Sequence, residues 1–367
     1  MWKFPLDIML DVTTRCNAGC PQCHRTDPMG LNKASWLPDI VWTLEQFKQA
    51  FPEKIAKHIY NFDFCGTWGD CLTNQDILPI VKYIREVAPE AAININTNGS
   101  LRNNEFWWEL GVAGDKNLSV TFAIEGTTQK MHQHYRQFTF LDKILNNMDM
   151  LSNTPAQIRT QCLVWKHNED HLNEIEQMCI KHGSLRHHVV ATDRFGRMEE
   201  RNNNSEVEYK FSNKGKEYKL EKTGIDFKNN EYSKQLDRRR FVKQTTKMSV
   251  NKHEIIKKIR KKKEVMKIVC EWGNKNKVVI NPDGQVLPCC FFCNPHYLNK
   301  NDPRARSWFI EHPVMQKYQK HQKDYNVFST SLINIINSEW YQKTLPDSWK
   351  TPKPIWQCQK HCGKCYV

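Results

Sequence analysis

Short apolar runs alternate with stretches of helical spacing along the first half of the chain. Leu6–Val12, Ile59–Phe64, Ala92–Thr97, Leu118–Ile124, Ile158–Trp165 and His187–Ala191 are expected as six strands. Thr43–Phe51, Gln75–Val87, Asn103–Leu110, Leu141–Leu151 and Glu169–His182 are expected as helices between them. Asn74 and Asn168 stand where N-caps belong, Pro89 follows one helix and Gly183 another. Strands that alternate with helices make βαβ units, a parallel sheet and right-handed crossovers. The expected fold over residues 1–198 is therefore α/β, a partial (β/α)6 TIM-like barrel, with its chemistry at the C-terminal ends of the strands.

The pattern breaks at residue 199. Residues 199–267 lack apolar periodicity until Asn251–Lys267, where Ile255, Ile256, Ile259, Val265 and Met266, with Ile268 just beyond, line one face of an expected basic helix. This stretch is read as a basic insertion and linker helix. Residues 268–367 form short, aromatic, cysteine-rich segments, expected as a small auxiliary domain organised by metal more than by a core.

Charge sharpens this division. Of the net charge of +14, residues 201–267 carry +12, from 21 Lys and Arg against 9 Asp and Glu. The basic character belongs to one segment, not to the fold. No apolar run approaches the roughly 20 residues of a spanning helix, and Lys3, Pro5 and Asp7 interrupt the N-terminus. A soluble, cytoplasmic protein is expected. In that compartment thiols stay reduced, so clustered cysteines bind metal or do chemistry. The 14 cysteines cluster: three fall in Cys16–Cys23, four in Cys270–Cys293 and three in Cys358–Cys365.

The first group follows the first strand directly. Its Cx3Cx2C spacing, Cys16-Asn-Ala-Gly-Cys20-Pro-Gln-Cys23, brings three thiolates to one cubane and leaves one iron open, where electron-transfer clusters use four cysteines. An open metal position is a place for a ligand to react. A zinc site usually pairs two CxxC-like knuckles, and no second pair lies nearby. The segment resembles the radical SAM superfamily, with Thr13-Thr14 before the first cysteine and Asn17 after it; Gln22 stands where an aromatic residue is common. The resemblance implies a [4Fe-4S] cluster on Cys16, Cys20 and Cys23. It also implies S-adenosylmethionine (SAM) on the open iron, cleaved reductively to methionine and a 5′-deoxyadenosyl radical that takes hydrogen from substrate.

Further strand ends carry the resemblance. Gly69-Asp70 resembles the Gly-Gly-Glu-Pro turn that meets the methionyl ammonium, with Asp for Glu and Cys71 for Pro. Thr97-Asn98-Gly99 resembles the family's Thr-Asn-Gly. Ala123-Ile124-Glu125-Gly126, then His132 and Arg136, resembles the Ser-hydrophobic-Asp-Gly pattern of relatives that act on peptides. By resemblance Glu125 approaches the SAM ribose and Arg136 its carboxylate. No residue is assigned as proton donor or acceptor, although Asp193, Cys71 and Glu125 lie near strand ends.

Cys270 and Cys289 bracket an expected β-hairpin with Pro282-Asp-Gly284 at its turn, followed by Cys358-x3-Cys362-x2-Cys365. This resembles the SPASM/Twitch extension, which implies at least one auxiliary [4Fe-4S] cluster. Cys270, Cys289, Cys362 and Cys365 are its expected ligands, with Cys358 an alternative to Cys362; a zinc ribbon is the competing reading. Cys290 and Cys293 either help hold a second cluster or are buried thiols.

The function implied is oxidation or cross-linking of a peptide or protein side chain. A reductant such as flavodoxin or ferredoxin is the expected partner. With the first strand beginning by Leu6, a further partner is expected to recognise any leader peptide. Modification of a nucleotide or RNA through residues 201–267, dehydrogenation of a small molecule, and a non-enzymatic Fe–S carrier or scaffold are the rivals.

Overall fold

The structure is a computed structural model that describes residues 2–192, 194–195, 207–227, 267–302 and 309–364. It divides into two compact units, Ile8–Asn230 and, together, Met1–Asp7 and Glu231–Val367.

In the first unit six strands lie side by side in chain order: β1 (Leu6–Leu10), β2 (Ile59–Phe64), β3 (Ala92–Thr97), β4 (Leu118–Ala123), β5 (Gln157–Val164) and β6 (Ser184–Ala191). β2 to β6 pair in parallel, for instance Ile95 beside Val120 and Thr160 beside His187. The helices between them are α1 (Leu44–Ala50), α2 (Glu53–Ala56), α3 (Ile77–Val87), α4 (Asn104–Gly114), α5 (Gln129–Gln133), α6 (Leu141–Ser152) and α7 (Leu172–Lys181). They bury apolar stripes at helical spacing, Ile77, Ile80, Val81 and Ile84 on α3 and Leu141, Ile144, Met148 and Leu151 on α6. Strand positions alternate against them: Ile93 and Ile95 are buried while Asn94 and Asn96, half-buried, point to the other face. Asn94 there donates to Asn61 (2.6 Å), so the second face is polar.

Two local readings change. Asn74 does not cap α3, whose N-cap is Asp76, and Asn168 stands at the expected N-cap position, before the 3-10 turn Glu169–His171, without a side-chain capping bond; both side chains tie loops together. The Asn74 side chain donates to the carbonyl of Trp42 (2.8 Å), and that of Asn168 to those of Glu125 (3.1 Å) and Leu163 (3.0 Å). Residues 208–221, expected as irregular insertion, form an antiparallel hairpin, β7 (Glu208–Asn213) and β8 (Lys216–Glu221). Its turn, Lys214-Gly215, has positive φ at both positions (49° and 76°), the primed geometry that matches strand twist. Tyr209, Phe211 and Leu220 are buried against the cysteine-bearing loop after β1. The expected helix over 251–267 lies outside the described residues except at its end.

The second unit holds a hairpin of β10 (Lys277–Ile280) and β11 (Val286–Leu287), turned at Pro282-Asp283-Gly284 as the sequence predicts, with Gly284 at φ 82°. A two-stranded pairing joins β9 (Lys267–Ile268) to β12 (Gly363–Lys364). α8 (Glu271–Asn274) precedes the hairpin and α9 (Cys290–Asn301) follows it; α10 (Pro313–Lys320), α11 (Leu332–Ile336), α12 (Leu345–Ser348) and α13 (Trp356–Cys362) are the later α-helices among its described residues. The unit does have an aromatic core: Tyr318, Tyr325, Trp340 and Tyr341 meet at centroid distances of 4.9–6.3 Å. Trp2 joins it edge-on to Tyr341 (5.4 Å) and donates to the Lys277 carbonyl.

Candidate functional site

The loop after β1 carries Cys16, Cys20 and Cys23. It is pinned on one side by Trp42 N–H to the Val12 carbonyl (2.9 Å) and Thr14 N–H to that of Ile40 (2.9 Å). On the other side the loop after β2 meets it backbone to backbone. A Cβ on Gly69 would lie 2.3 Å from the Thr13 oxygen and 2.7 Å from that of Arg15, so only glycine allows the approach. The next amide, Asp70 N–H, donates to the Arg15 carbonyl (2.8 Å). Gly69 thus earns its place by packing, whatever it offers a ligand.

Three of the residues singled out in the sequence, Asp70, Thr97 and Asn98, come together here. The buried Asp70 carboxylate accepts from the Thr97 hydroxyl (2.8 Å), the Asn98 backbone (2.8 Å), the Asn98 side chain (2.6 Å) and Leu72 N–H (3.1 Å). Burial pushes its pKa above the usual carboxylate range, and these donors oppose the shift. The Asn98 amide also donates to Asn17 (2.8 Å) and approaches the Cys16 sulfur at 3.8 Å. A chain of polar groups therefore runs from the β2 and β3 ends to the first cysteine.

Around the triplet, Cys16 accepts from Ala18 N–H (3.3 Å), and Cys23 N–H donates to the Cys20 carbonyl (3.0 Å). Burial pushes the Cys16 thiol up to about 12, with Asp70 adding to the shift and Arg25 opposing it. Cys20 is raised by burial and opposed by Arg136. A thiolate ligand here needs a compensating charge, which a cationic metal centre supplies.

Glu125 and Arg136, which the resemblance places near the SAM ribose and carboxylate, pair with each other. Both Glu125 oxygens accept from the Arg136 guanidinium, at 2.7 and 2.8 Å, and the Glu125 side chain is wholly buried. A carboxylate so enclosed requires a counter-charge. The remaining terminal nitrogen, Nη1, reaches the Cys20 sulfur at 3.5 Å. Gln22 is also buried, and its side-chain N–H has no hydrogen-bond partner among the described residues.

In the second unit Cys270, Cys289, Cys358 and Cys362 line one pocket, with Trp272, Phe291 and Trp349 among its walls. Cys289 is held well up by burial and by its neighbours Cys290, Cys358 and Cys362. Cys362 is raised first by its hydrogen bond with Cys270. Among the described residues no three His, Cys, Asp or Glu side chains are close enough to hold a single ion. The donor set is nevertheless all thiol, and thiols spread around a pocket suit a cubane with one thiolate at each iron. Cys293 is turned away, donating to Asn281 (2.8 Å), and Cys290 is absent from the lining. Cys365 and Asp193 lie outside the described residues.

The hairpin 208–221, missed in the sequence, also belongs to the site. Tyr209 Oη donates to the Pro21 carbonyl (2.9 Å), and Ser212 exchanges backbone bonds with Pro28 (2.9 Å) and Gly30 (3.0 Å). Only its alternation of Tyr209 and Phe211 with charged positions signalled a strand.

Comparison with known proteins adds two findings. Residues 270–366 match the family model described as SPASM, an iron-sulfur cluster-binding domain. No curated protein matches the chain. Among solved structures, SuiB of Streptococcus suis is 13% identical, with a TM-score of 0.53, over 95% of this chain and 68% of that one. The same protein bound to precursor peptide SuiA is 12% identical, with a TM-score of 0.54, over 97% of this chain and 76% of that one. The structure of anSMEcpe with bound AdoMet is 12% identical, with a TM-score of 0.51, over 98% of this chain and 85% of that one. The fold expected from the sequence, a partial barrel followed by a small cluster-binding domain, is the fold of this protein. Among the described residues no helix is long and apolar enough to cross a membrane.

Proposed function

We propose that this chain, which has the fold of the radical SAM enzymes that carry a SPASM domain, works as one of them and modifies a peptide or protein side chain. The observation that carries the reading is the triplet loop itself. Three thiols sit at the C-terminal end of β1, and the Asp70–Thr97–Asn98 network leads to the first of them. A [4Fe-4S] cluster held there by the three thiolates, with SAM on its open iron, would supply reductive cleavage of SAM and, through it, abstraction of hydrogen from substrate.

The residues have separate tasks. Cys16, Cys20 and Cys23 are the cluster ligands. Asp70, Thr97 and Asn98 are the nearest polar groups for the methionyl end of SAM, and the buried Gln22 amide has a donor to spare. The hairpin 208–221 covers the triplet loop and excludes water from it. Cys270, Cys289, Cys358 and Cys362 hold an auxiliary cluster, with Cys365 a further candidate. A peptide substrate is supported by the shared fold of SuiB, solved with its precursor peptide. The charge of +12 over residues 201–267 favours one rival, a nucleic-acid substrate. Affinity falling steeply with salt supports that rival; a salt-insensitive affinity rejects it.

Anaerobic reconstitution and iron counting test the assignment. About eight irons per chain are expected, from two cubanes of about four each. C16A/C20A/C23A is expected to lose about half. Equal iron in the two proteins overturns the triplet's role.

A further inference from the structure

Arg136 has five N–H donors in a rigid fork. Nε and Nη2 are spent on Glu125, at 2.7 and 2.8 Å, and Nη1 points at the Cys20 sulfur, at 3.5 Å. Bonds to the backbone of Glu125 and Arg136 hold the pair in place. The His132 ring accepts from Glu125 N–H (3.3 Å) through Nδ1 and meets Thr139 (3.0 Å) through Nε2, while Thr139 donates to the Arg136 carbonyl (2.7 Å). Asn168 donates to the Glu125 carbonyl (3.1 Å). The guanidinium also lies over the Tyr135 ring, 5.2 Å from its centroid.

A buried ion pair is weak evidence for stability, because desolvation offsets much of its attraction. This one places a permanent cation and a spare N–H donor against one thiol of the triplet. We infer that Arg136, clamped by Glu125, is a tuning residue that sets the reduction potential of the cluster bound by Cys16, Cys20 and Cys23. The inference rests on the triplet holding a cluster, as proposed above.

The sign follows from charge. Reduction adds one electron to the cluster and makes its thiolates stronger acceptors. A hydrogen bond to a ligand sulfur and a nearby positive charge favour that form and raise the potential. Glu125 acts in the opposite sense: it orients Arg136 while cancelling part of its charge. The two substitutions are therefore expected to move the potential in opposite directions. Loosening of the loop, the effect of a purely structural pair, does not discriminate between them.

The test is a potentiometric titration of the full-length reconstituted protein, followed by electron paramagnetic resonance on the signal that SAM perturbs. R136Q is expected to lower the reduced-to-oxidised ratio at fixed potential about tenfold, equivalent to about 59 mV for one electron. E125Q is expected to raise it. R136K keeps the charge but loses the fork, and is expected to fall between R136Q and wild type; it decides the matter if R136Q takes up no cluster. Shifts of the same sign in R136Q and E125Q, or no shift in any variant, overturn the inference while leaving the proposed function intact. A wild-type protein without a SAM-perturbed signal overturns both.

Discussion

Asn98 grips Asp70 twice, through its backbone N–H at 2.8 Å and its side-chain amide at 2.6 Å, and the same amide reaches toward Cys16. The ends of β2 and β3 are thereby locked to each other and to the first cysteine. Removing the carboxylate in D70A leaves Thr97, Asn98 and Leu72 donors buried without their acceptor. A loss of about 3 kcal/mol is expected from such groups. Chemical denaturation reads that loss, and SAM titration of the reconstituted variant is expected to show weaker binding. Unchanged SAM affinity at reduced stability would confine Asp70 to a structural role.

Gly69 and Gly215 make a paired test of backbone approach. At Gly69 an added methyl meets two carbonyl oxygens, which cannot rotate away, whereas at Gly215 there is open space and only a positive φ to strain. G69A is expected to cost about 3 kcal/mol or more, and G215A about 1 kcal/mol. G69A is also expected to lower iron at the triplet. Equal melting points for the two variants would contradict the contact.

Much of this was legible in advance, and the exceptions share a cause. Ile59–Phe64 and Ala92–Thr97 are strands to the residue, because their apolar runs are bounded by clear turn residues. The triplet and its neighbouring motifs are local patterns, readable from spacing. Glu125 and Arg136 are 11 residues apart, and no periodicity reveals that each satisfies the other. Hairpin 208–221 hid because Lys and Glu fill its exposed positions, leaving Tyr209, Phe211 and Leu220 as a sparse apolar signal. Cys358 stood as an alternative to Cys362 because sequence spacing cannot show that α13 brings both to one pocket.

That hairpin supplies its own prediction. Tyr209 is 1% exposed and bonded to Pro21, between two of the triplet cysteines. Y209A is expected to cost about 3–5 kcal/mol, as large-to-small aromatic changes do, and to speed bleaching of the triplet cluster in air. Bleaching at the wild-type rate would show that the hairpin does not shield it.

The C-terminal cysteines sort into two groups by placement. C358S and C362S are each expected to lose up to about four irons, the content of one cubane. C293S is expected to lose none, because its thiol is already engaged by Asn281. Iron analysis of the three variants decides, and a loss in C293S alone would reverse the assignment.

Asp11, at the end of β1, gives a pH signature. Burial pushes its carboxyl up to about 7, against bonds from Cys65 and the amides of Trp68 and Thr67. An unfolded Asp titrates near about 3.9, so between these values the folded protein binds more protons than the unfolded one. The stability that Asp11 contributes is therefore fully present below about 3.9 and is lost as pH rises through about 7. Melting temperature is expected to fall over that window, and the fall is expected to be shallower in D11N. Parallel curves for the two proteins would contradict it.

The central claim is that the triplet turns SAM into a hydrogen-abstracting reagent. Its most direct measurement is 5′-deoxyadenosine released from SAM by the reduced, reconstituted chain, compared with C16A/C20A/C23A carrying only its C-terminal cluster. Release by the wild type and none above background by the variant is the expected result. Equal release from both, or none from a wild type that holds its full iron, would contradict it.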